Sequence, residues 1–283
     1  PPSIIMVVYG VMTNESIAAI NLAGILPGFV LAGLFTAYVA VAARFSPDYH
    51  PAAEPKTTWR EKLAACWLLV PVHILLIIVL GSMFAGIATA TEAAAMGVAG
   101  ALGLARWQNS LTRENFIESL MGATRTSAMI AFILAASAAL SLAMGFTGLP
   151  NELAQWVGSM HLSATSLLMA LLALYLVLGC FLDGISCVAL TIGIIEPLVR
   201  QAGIDMVWFG IFIVLVVEMA QITPPVGFNL FVLQSMTGHN IFRIAAWSFP
   251  MFVIMLIMVF VMIDFPGLAT WLPRQMIPVL PVN

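Results

Sequence analysis

Charged residues are scarce in this chain, and that scarcity excludes most classes of soluble protein. Asp, Glu, Lys and Arg make up 8% of its 283 residues, whereas about 25% of the residues in a typical soluble domain are charged. Hydrophobic residues reach 62%, and the mean hydropathy is +1.06. Because α-helices satisfy their own backbone hydrogen bonds in a bilayer, this composition predicts an all-α integral membrane protein.

Cysteine is rare as well, and the sequence lacks the motifs of the common catalytic sites. Cys66, Cys180 and Cys187 form no C-x-x-C pair, so we expect neither a disulfide framework nor a transition-metal site. The chain has no glycine-rich phosphate-binding motif, which argues against direct use of ATP. We therefore expect a protein that is not an enzyme, that needs no organic cofactor and that binds no nucleic acid.

Apolar stretches recur along the chain, and a transmembrane helix needs about 20 apolar residues. We predict apolar segments at residues 17–43, 63–83, 91–105, 122–146, 162–199, 207–236 and 241–263. One alternating topology brings nearly all Lys and Arg residues to one side, which the positive-inside rule assigns to the cytoplasm. Only Arg200 and Arg274 then lie on the outer side, and Arg200 can pair with Glu196 four residues earlier.

Two of these stretches are interrupted near their middles by residues that disfavour a helix. The stretch 162–199 is interrupted at residues 183–186, and the stretch 207–236 is interrupted at residues 223–227. Irregular backbone survives at membrane depth only where it is buried in protein or lines a water-filled cavity. Paired broken segments of this kind indicate the binding site of a secondary transporter.

The first interruption allows two interpretations of the stretch 162–199. It could be two full spans joined by a short turn, or a re-entrant hairpin whose tip stops within the membrane. A tip that contains an acid but no Lys or Arg fits poorly at a cytoplasmic surface, so we favour the hairpin. Asp183, Gly184 and Ser186 would then supply oxygens and flexibility for an ion or substrate site. Alternatively, Asp183 and Ser186 only cap the following helix.

The second interruption gives the stronger indication of a site. Pro224 and Pro225 lack backbone N–H groups, so they free carbonyl oxygens in the turn before them. Gly227 permits close approach of the backbone, while Thr223 and Asn229 add side-chain oxygens. These groups predict a site for sodium and substrate. The alternative is a proline kink in a structural helix.

The two ends of the chain resemble each other. At an offset of 223 or 224 residues, Pro1-Pro2 corresponds to Pro224-Pro225, Met12-Thr13 to Met236-Thr237, and Pro27 to Pro250. The helices that follow run in opposite directions in the predicted topology, so the pattern predicts an inverted repeat. Pro1, Pro2 and Ser3 would belong to a second, partial ion site. We expect residue 1 to lie inside a longer protein.

Several motifs resemble one transporter family in order and along essentially the whole chain. They are Ala88-Thr89-Ala90-Thr91-Glu92-Ala93-Ala94-Ala95, Phe181-Leu182-Asp183-Gly184-Ile185-Ser186, and Ile222-Thr223-Pro224-Pro225-Val226-Gly227-Phe228-Asn229. The family is the large membrane subunit of tripartite ATP-independent periplasmic (TRAP) transporters, and the match is to its C-terminal portion. The resemblance implies an elevator-type, sodium-coupled importer of small organic anions, such as C4-dicarboxylates, sialic acid or keto acids. It also implies a small membrane subunit, a periplasmic binding protein and location in a bacterial or archaeal inner membrane.

Interpreted as this transporter subunit, the chain divides into four parts. They are the end of the first repeat's broken helix (1–14), scaffold and arm helices (15–161), transport-domain elements (162–236, with the hairpin at 162–201 and the broken helix at 207–236), and a final transmembrane helix with an outer tail (237–283). Two alternatives remain open. One is a sodium- or proton-coupled anion carrier that needs no binding protein. The other is an intramembrane enzyme that uses Asp183 and Glu218 as an acid pair.

Overall fold

The computed structural model describes residues 3–45, 58–67, 69–148, 152, 155–156, 159–160 and 162–276. Every regular element in these ranges is a helix. The helices are α1 (Ile4–Thr13), α2 (Ile17–Ala23), α3 (Ile25–Phe45), α4 (Trp59–Trp67), α5 (Val70–Phe84), α6 (Ala90–Trp107), α7 (Arg113–Thr147), α8 (Ala164–Gly179), α9 (Gly184–Gln201), α10 (Met206–Gln221), α11 (Phe228–Thr237), α12 (Ile241–Asp264) and α13 (Gly267–Met276).

Four helical segments among the described residues are long and apolar enough to cross a membrane. They are Ile17–Phe45, Arg113–Thr147, Gly184–Gln201 and Ile241–Asp264. A fifth is possible if α4 and α5, which meet at a 48° bend, form one span. The prediction of an all-helical membrane protein with several spans is therefore confirmed.

The chain divides into two compact units, and each is described by itself. One unit comprises residues 34–127, and the other comprises residues 1–33 and 128–283. Within the smaller unit, α5 packs along α6. Helix α6 begins with a capping box, in which the backbone N–H of Thr89 donates to Glu92 Oε2 at 2.8 Å. This exchange satisfies donors that a helix N-terminus otherwise leaves free.

Helix α10 forms the centre of the larger unit. It is hydrophobic on all sides, and Phe209, Phe212 and Val216 are fully buried, as expected for a helix that packs against neighbours around its whole circumference. Its neighbours are α1, α2, α8, α9, α11, α12 and α13. The hydroxyl of buried Tyr9 donates to the carbonyl of Met206 at 2.7 Å and joins α1 to α10.

Polar side chains fix the start of α10, join it to α12 and form an ion pair near the end of α9. The carboxylate of Asp205 accepts from the backbone N–H of Trp208 at 2.9 Å and starts α10. The indole N–H of Trp208 then donates to the carbonyl of Met262 at 3.2 Å, which joins α10 to α12. The predicted pair of Glu196 and Arg200 is confirmed, with 2.8 Å between Oε1 and Nε.

Candidate functional site

Helices α8 and α9 are antiparallel neighbours joined by a short non-helical tip at residues 180–183. The hydroxyl groups of Tyr175 and Thr191 lie 2.7 Å apart, and these residues stand eight positions before and after Asp183. The Asp183 carboxylate accepts from the backbone N–H groups of Ile185 at 3.1 Å and Ser186 at 3.2 Å. Asp183 is thus the N-cap of α9, the capping role that the sequence allowed for it.

The second interruption separates α10 from α11 and leaves backbone oxygens without protein donors. The Thr223 hydroxyl donates to the carbonyl of Met219 at 2.8 Å, and its backbone N–H donates to the carbonyl of Ala220 at 3.0 Å. Pro224 and Pro225 have no N–H to offer to the carbonyls before them. Within the described part of the chain, the carbonyls of residues 221–223 accept no hydrogen bond.

A backbone hydrogen bond of Gly227 joins the two interruptions. Its backbone N–H donates to the carbonyl of Cys180 at the hairpin tip, at 2.9 Å. The Cys180 thiol in turn approaches the carbonyl of Pro224, at 3.5 Å. Gly227 has φ of +54°, a conformation that favours glycine. The two interruptions, about 40 residues apart in the sequence, are therefore hydrogen-bonded to each other.

Small residues allow the helices to approach closely at this junction. A Cβ atom at Gly179 would lie 2.6 Å from the Cβ of Ala220 on α10. A Cβ atom at Gly184 would lie 2.7 Å from Nε2 of Gln221 and would also meet the side chain of Ile5 on α1. The junction of the hairpin tip, the break after α10 and the start of α1 is the candidate site.

The residues that the sequence predicted for the site differ in how exposed they are. Gly184 and Gly227 are buried, and the side chains of Pro224 and Pro225 are exposed. The remaining candidates are half-buried: Asp183, Ser186, Thr223 and Asn229. The oxygens here are carbonyl, hydroxyl and carboxylate groups, which are the ligands of hard cations such as sodium. In the described residues, His, Cys, Asp and Glu form no group of three or more that could hold a metal ion.

The structure describes the predicted second ion site only in part. Pro1 and Pro2 lie outside the described residues. Ser3 is the N-cap of α1, and its carbonyl accepts from the backbone N–H of Val7 at 3.2 Å. Because Ile5 of the same helix reaches Gly184, Ser3 lies near the beginning of a helix that contributes to the junction. The second ion site stays a prediction.

Two further polar side chains, Glu218 and Gln221, lie near the junction, and sequence reasoning missed Gln221. The carboxylate of Glu218 interacts with the side chain of Asn229 across the break between α10 and α11. Gln221, the last residue of α10, places its amide beside Gly184. A polar residue in the last turn of an apolar helix was the available signal for Gln221. Asp183 caps α9, whereas Glu218 interacts with Asn229, so the geometry gives no support to an acid pair.

Taken together, these features define a multi-pass, all-helical membrane protein in which two broken segments meet at one junction. The family model described as tripartite ATP-independent periplasmic transporter, DctM component, matches residues 1–268. The chain belongs to this family, and the resemblance inferred from its motifs is confirmed.

Curated relatives carry the same family name. The C4-dicarboxylate TRAP transporter large permease protein DctM of Rhodobacter capsulatus is 31% identical, and the match covers 97% of this chain and 65% of that protein. The protein of the same name from Pseudomonas aeruginosa is 28% identical, with 97% and 64% covered. The sialic acid TRAP transporter large permease protein SiaM of Vibrio cholerae is 30% identical, with 97% and 64% covered. The chain thus spans slightly less than two thirds of each of these relatives.

Proposed function

We propose that this chain forms part of the membrane permease of a secondary transporter that imports small organic anions and is driven by a sodium gradient. The observation that carries the proposal is the junction of the two interruptions, held by the hydrogen bond from Gly227 to Cys180. Helix breaks that face each other inside a membrane protein supply backbone groups for ions and substrates, because lipid offers those groups no partner.

Sodium binds at the break between α10 and α11 in this proposal. The carbonyls of residues 221–223 accept no hydrogen bond from the described residues, and they come directly before Pro224 and Pro225. The side chains of Thr223 and Asn229 add oxygens on either side of the break. Asp183 and Ser186 stand at the adjoining tip, where the carboxylate contributes negative charge. Such an oxygen-rich, partly negative site suits a hard monovalent cation.

The substrate is a small organic acid. Relatives are named as transporters of C4-dicarboxylates, of sialic acid and, in Oleidesulfovibrio alaskensis, of isethionate. C4-dicarboxylates and sialic acid carry carboxylate groups and isethionate carries a sulfonate group, so we infer a small organic anion as the substrate, with a carboxylate as the commoner acidic group. Family membership also supports a small membrane subunit and a periplasmic substrate-binding protein as partners, and it supports the inner membrane of a bacterium or archaeon as the location of the complex.

Element boundaries support the inverted repeat on which an elevator mechanism depends. Helices α1 (Ile4–Thr13) and α11 (Phe228–Thr237) both contain ten residues and are offset by 224 positions. Each ends at a residue with positive φ, Asn14 at 56° and Gly238 at 70°. Helices α2 and α12 then begin at the same offset. We infer that α1 is the counterpart of α11, and that the re-entrant hairpin and broken helix move together as one transport element.

Uptake into proteoliposomes tests the proposal. The complete membrane complex is reconstituted, and uptake of labelled succinate, sialic acid and pyruvate is measured with and without an inward sodium gradient and with and without the binding protein. We expect uptake of at least one acid to require both. Uptake that needs sodium but no binding protein would favour the binding-protein-independent carrier. Uptake indifferent to sodium would refute the coupling.

A further inference from the structure

An apolar groove lies between α6 and α7 in the smaller unit, and it has a volume of about 490 Å³. Helix α6 lines it with small and branched apolar side chains, and α7 lines it with Phe116, Leu120 and Ala123. Phe116 is 44% exposed and Leu120 is 54% exposed, so the groove is open along its length. In a bilayer, an open apolar groove of this kind is filled either by a lipid chain or by another protein segment.

The turn between α6 and α7 closes one end of the groove and is held by hydrogen bonds. The hydroxyl of Ser110 donates to the carbonyl of Ala105 at 3.2 Å, and the side-chain amide of Asn115 donates to the carbonyl of Ser110 at 2.9 Å. The hydroxyl of Thr112 accepts from the backbone N–H of Asn115 at 3.1 Å and so caps α7. The groove therefore has one well-ordered polar end, from which its two apolar walls extend.

Two arginines flank the polar end, whereas the nearby acidic residues face elsewhere. Arg106 lies in the last turn of α6, Arg113 is the first residue of α7, and neither forms an ion pair with a described residue. Successive residues of a helix are rotated by about 100°, so each arginine lies about a quarter turn from the groove-lining face of its helix. By the same rotation, Glu114 and Glu118 lie on the far side of α7. Positive charge therefore borders the groove.

We propose that the groove holds one acyl chain of an anionic phospholipid, whose phosphate group is bound by Arg106 and Arg113. The predicted topology assigns both arginines to the cytoplasmic side, and the adjacent Trp107 is 75% exposed, as suits an indole ring at the membrane interface. Basic pockets between transmembrane helices on this side bind anionic headgroups. Guanidinium groups bind phosphate through charge-assisted hydrogen bonds.

The size of the groove favours a lipid chain over a helix of a partner protein. A ten-residue helix is about 15 Å long and 10 Å wide and so occupies roughly 1,200 Å³. That is more than twice the volume of the groove, which is about 490 Å³. A single flexible acyl chain can follow the groove from its polar end outwards. This inference does not depend on the proposed transport function.

Binding of defined lipids to the detergent-purified membrane complex tests the proposal. The complex is delipidated and mixed with micelles that contain either phosphatidylglycerol, which is anionic, or phosphatidylcholine, which is zwitterionic. Native mass spectrometry counts the bound lipids, and thermal unfolding measures their effect, since a ligand that binds the folded state raises its stability. We expect tighter binding of phosphatidylglycerol. Arg106→Gln and Arg113→Gln should each weaken that binding about five-fold, and about 25-fold together.

Matched control variants separate this site from general effects of charge and bulk. Arg125→Gln removes the same charge from α7, but Arg125 faces away from the groove, so its binding of phosphatidylglycerol should equal that of the wild type. Ala101→Phe fills the groove without a change of charge and should weaken the binding of phosphatidylglycerol. Ala99→Phe adds the same ring at an exposed position of α6 outside the groove and should have no effect.

Three outcomes would overturn the proposal. Equal binding of phosphatidylglycerol and phosphatidylcholine by the wild type would show that the headgroup is not recognised. Equal losses in the double arginine variant and in Arg125→Gln would show a diffuse attraction to surface charge instead of a site. A photoactivatable crosslinker attached to Ala101→Cys that captures the small membrane subunit would show that the groove is a protein interface.

Discussion

Replacing Gly227 by Ala should disable the proposed sodium site. Gly227 has φ of +54°, and forcing an L-residue into this left-handed region costs about 1–2 kcal/mol. The added methyl group would lie 2.8 Å from the carbonyl oxygen of Thr223 and 3.0 Å from that of Gln221. Both carbonyls belong to the group that we propose as sodium ligands, so the added methyl group would displace proposed ligands of the ion.

The steric overlap adds to the conformational strain. Inserting a methyl group into a packed region costs about 1–3 kcal/mol, so the combined destabilisation of the native break is about 2–5 kcal/mol. The neighbouring backbone moves to relieve this, and the hydrogen bond from Gly227 to Cys180 lengthens. We expect sodium to lose most of its stabilising effect, and the half-saturating sodium concentration for uptake to rise at least about ten-fold, which corresponds to 1.4 kcal/mol.

Gly238→Ala provides a matched control for this experiment. Gly238 also has positive φ, at 70°, but a Cβ atom there would meet nothing within 4 Å. This variant therefore carries the strain of about 1–2 kcal/mol without the overlap. Thermal unfolding and uptake are measured for both variants over a range of sodium concentrations. Equal sodium responses in Gly227→Ala and Gly238→Ala would refute the assignment of the carbonyls before Gly227 to the ion.

Two further substitutions address neighbouring side chains. Thr223→Val removes the hydroxyl that donates to Met219; we expect sodium-dependent uptake to need about ten-fold more sodium, whereas Thr223→Ser should resemble the wild type. An equal effect of both would show that the hydroxyl is irrelevant. Glu218→Leu removes the interaction of this carboxylate with the Asn229 side chain and should lower the free energy of unfolding by about 0.5–1.5 kcal/mol. In denaturant unfolding, Glu218→Leu should cost much less when Asn229 is already Ala, and additive costs would contradict the pairing.

The positions of the two interruptions could be predicted from sequence because their causes are local. Two consecutive prolines followed by Gly227 remove neighbouring backbone donors and favour a break, and α10 does end at Gln221, whereas the single prolines Pro197 and Pro250 lie inside helices. Asp183 before an apolar run is a strong N-cap signal, and α9 does begin at Gly184. The long spans followed from hydropathy for the same reason, since the bilayer requires length and apolar composition alone.

The start of α7 shows where hydropathy misleads. The predicted apolar segment begins at residue 122, but the helix begins at Arg113 and continues without a break to Thr147. Hydropathy locates the apolar part of a helix, whereas a helix ends only where a cap, glycine or proline ends it. The charged residues of 113–118 are compatible with a helix and are exposed.

The contacts between the two interruptions could not be derived from sequence. Cys180 does not stand out in a pattern of hydrophobicity, and the bond from Gly227 to the carbonyl of Cys180 involves backbone groups that every residue has. Close approach at Gly179 and Gly184 depends on which face of α8 and α9 meets α10, and this is decided by tertiary packing. Sequence thus indicated which segments carry the site but not which atoms meet there.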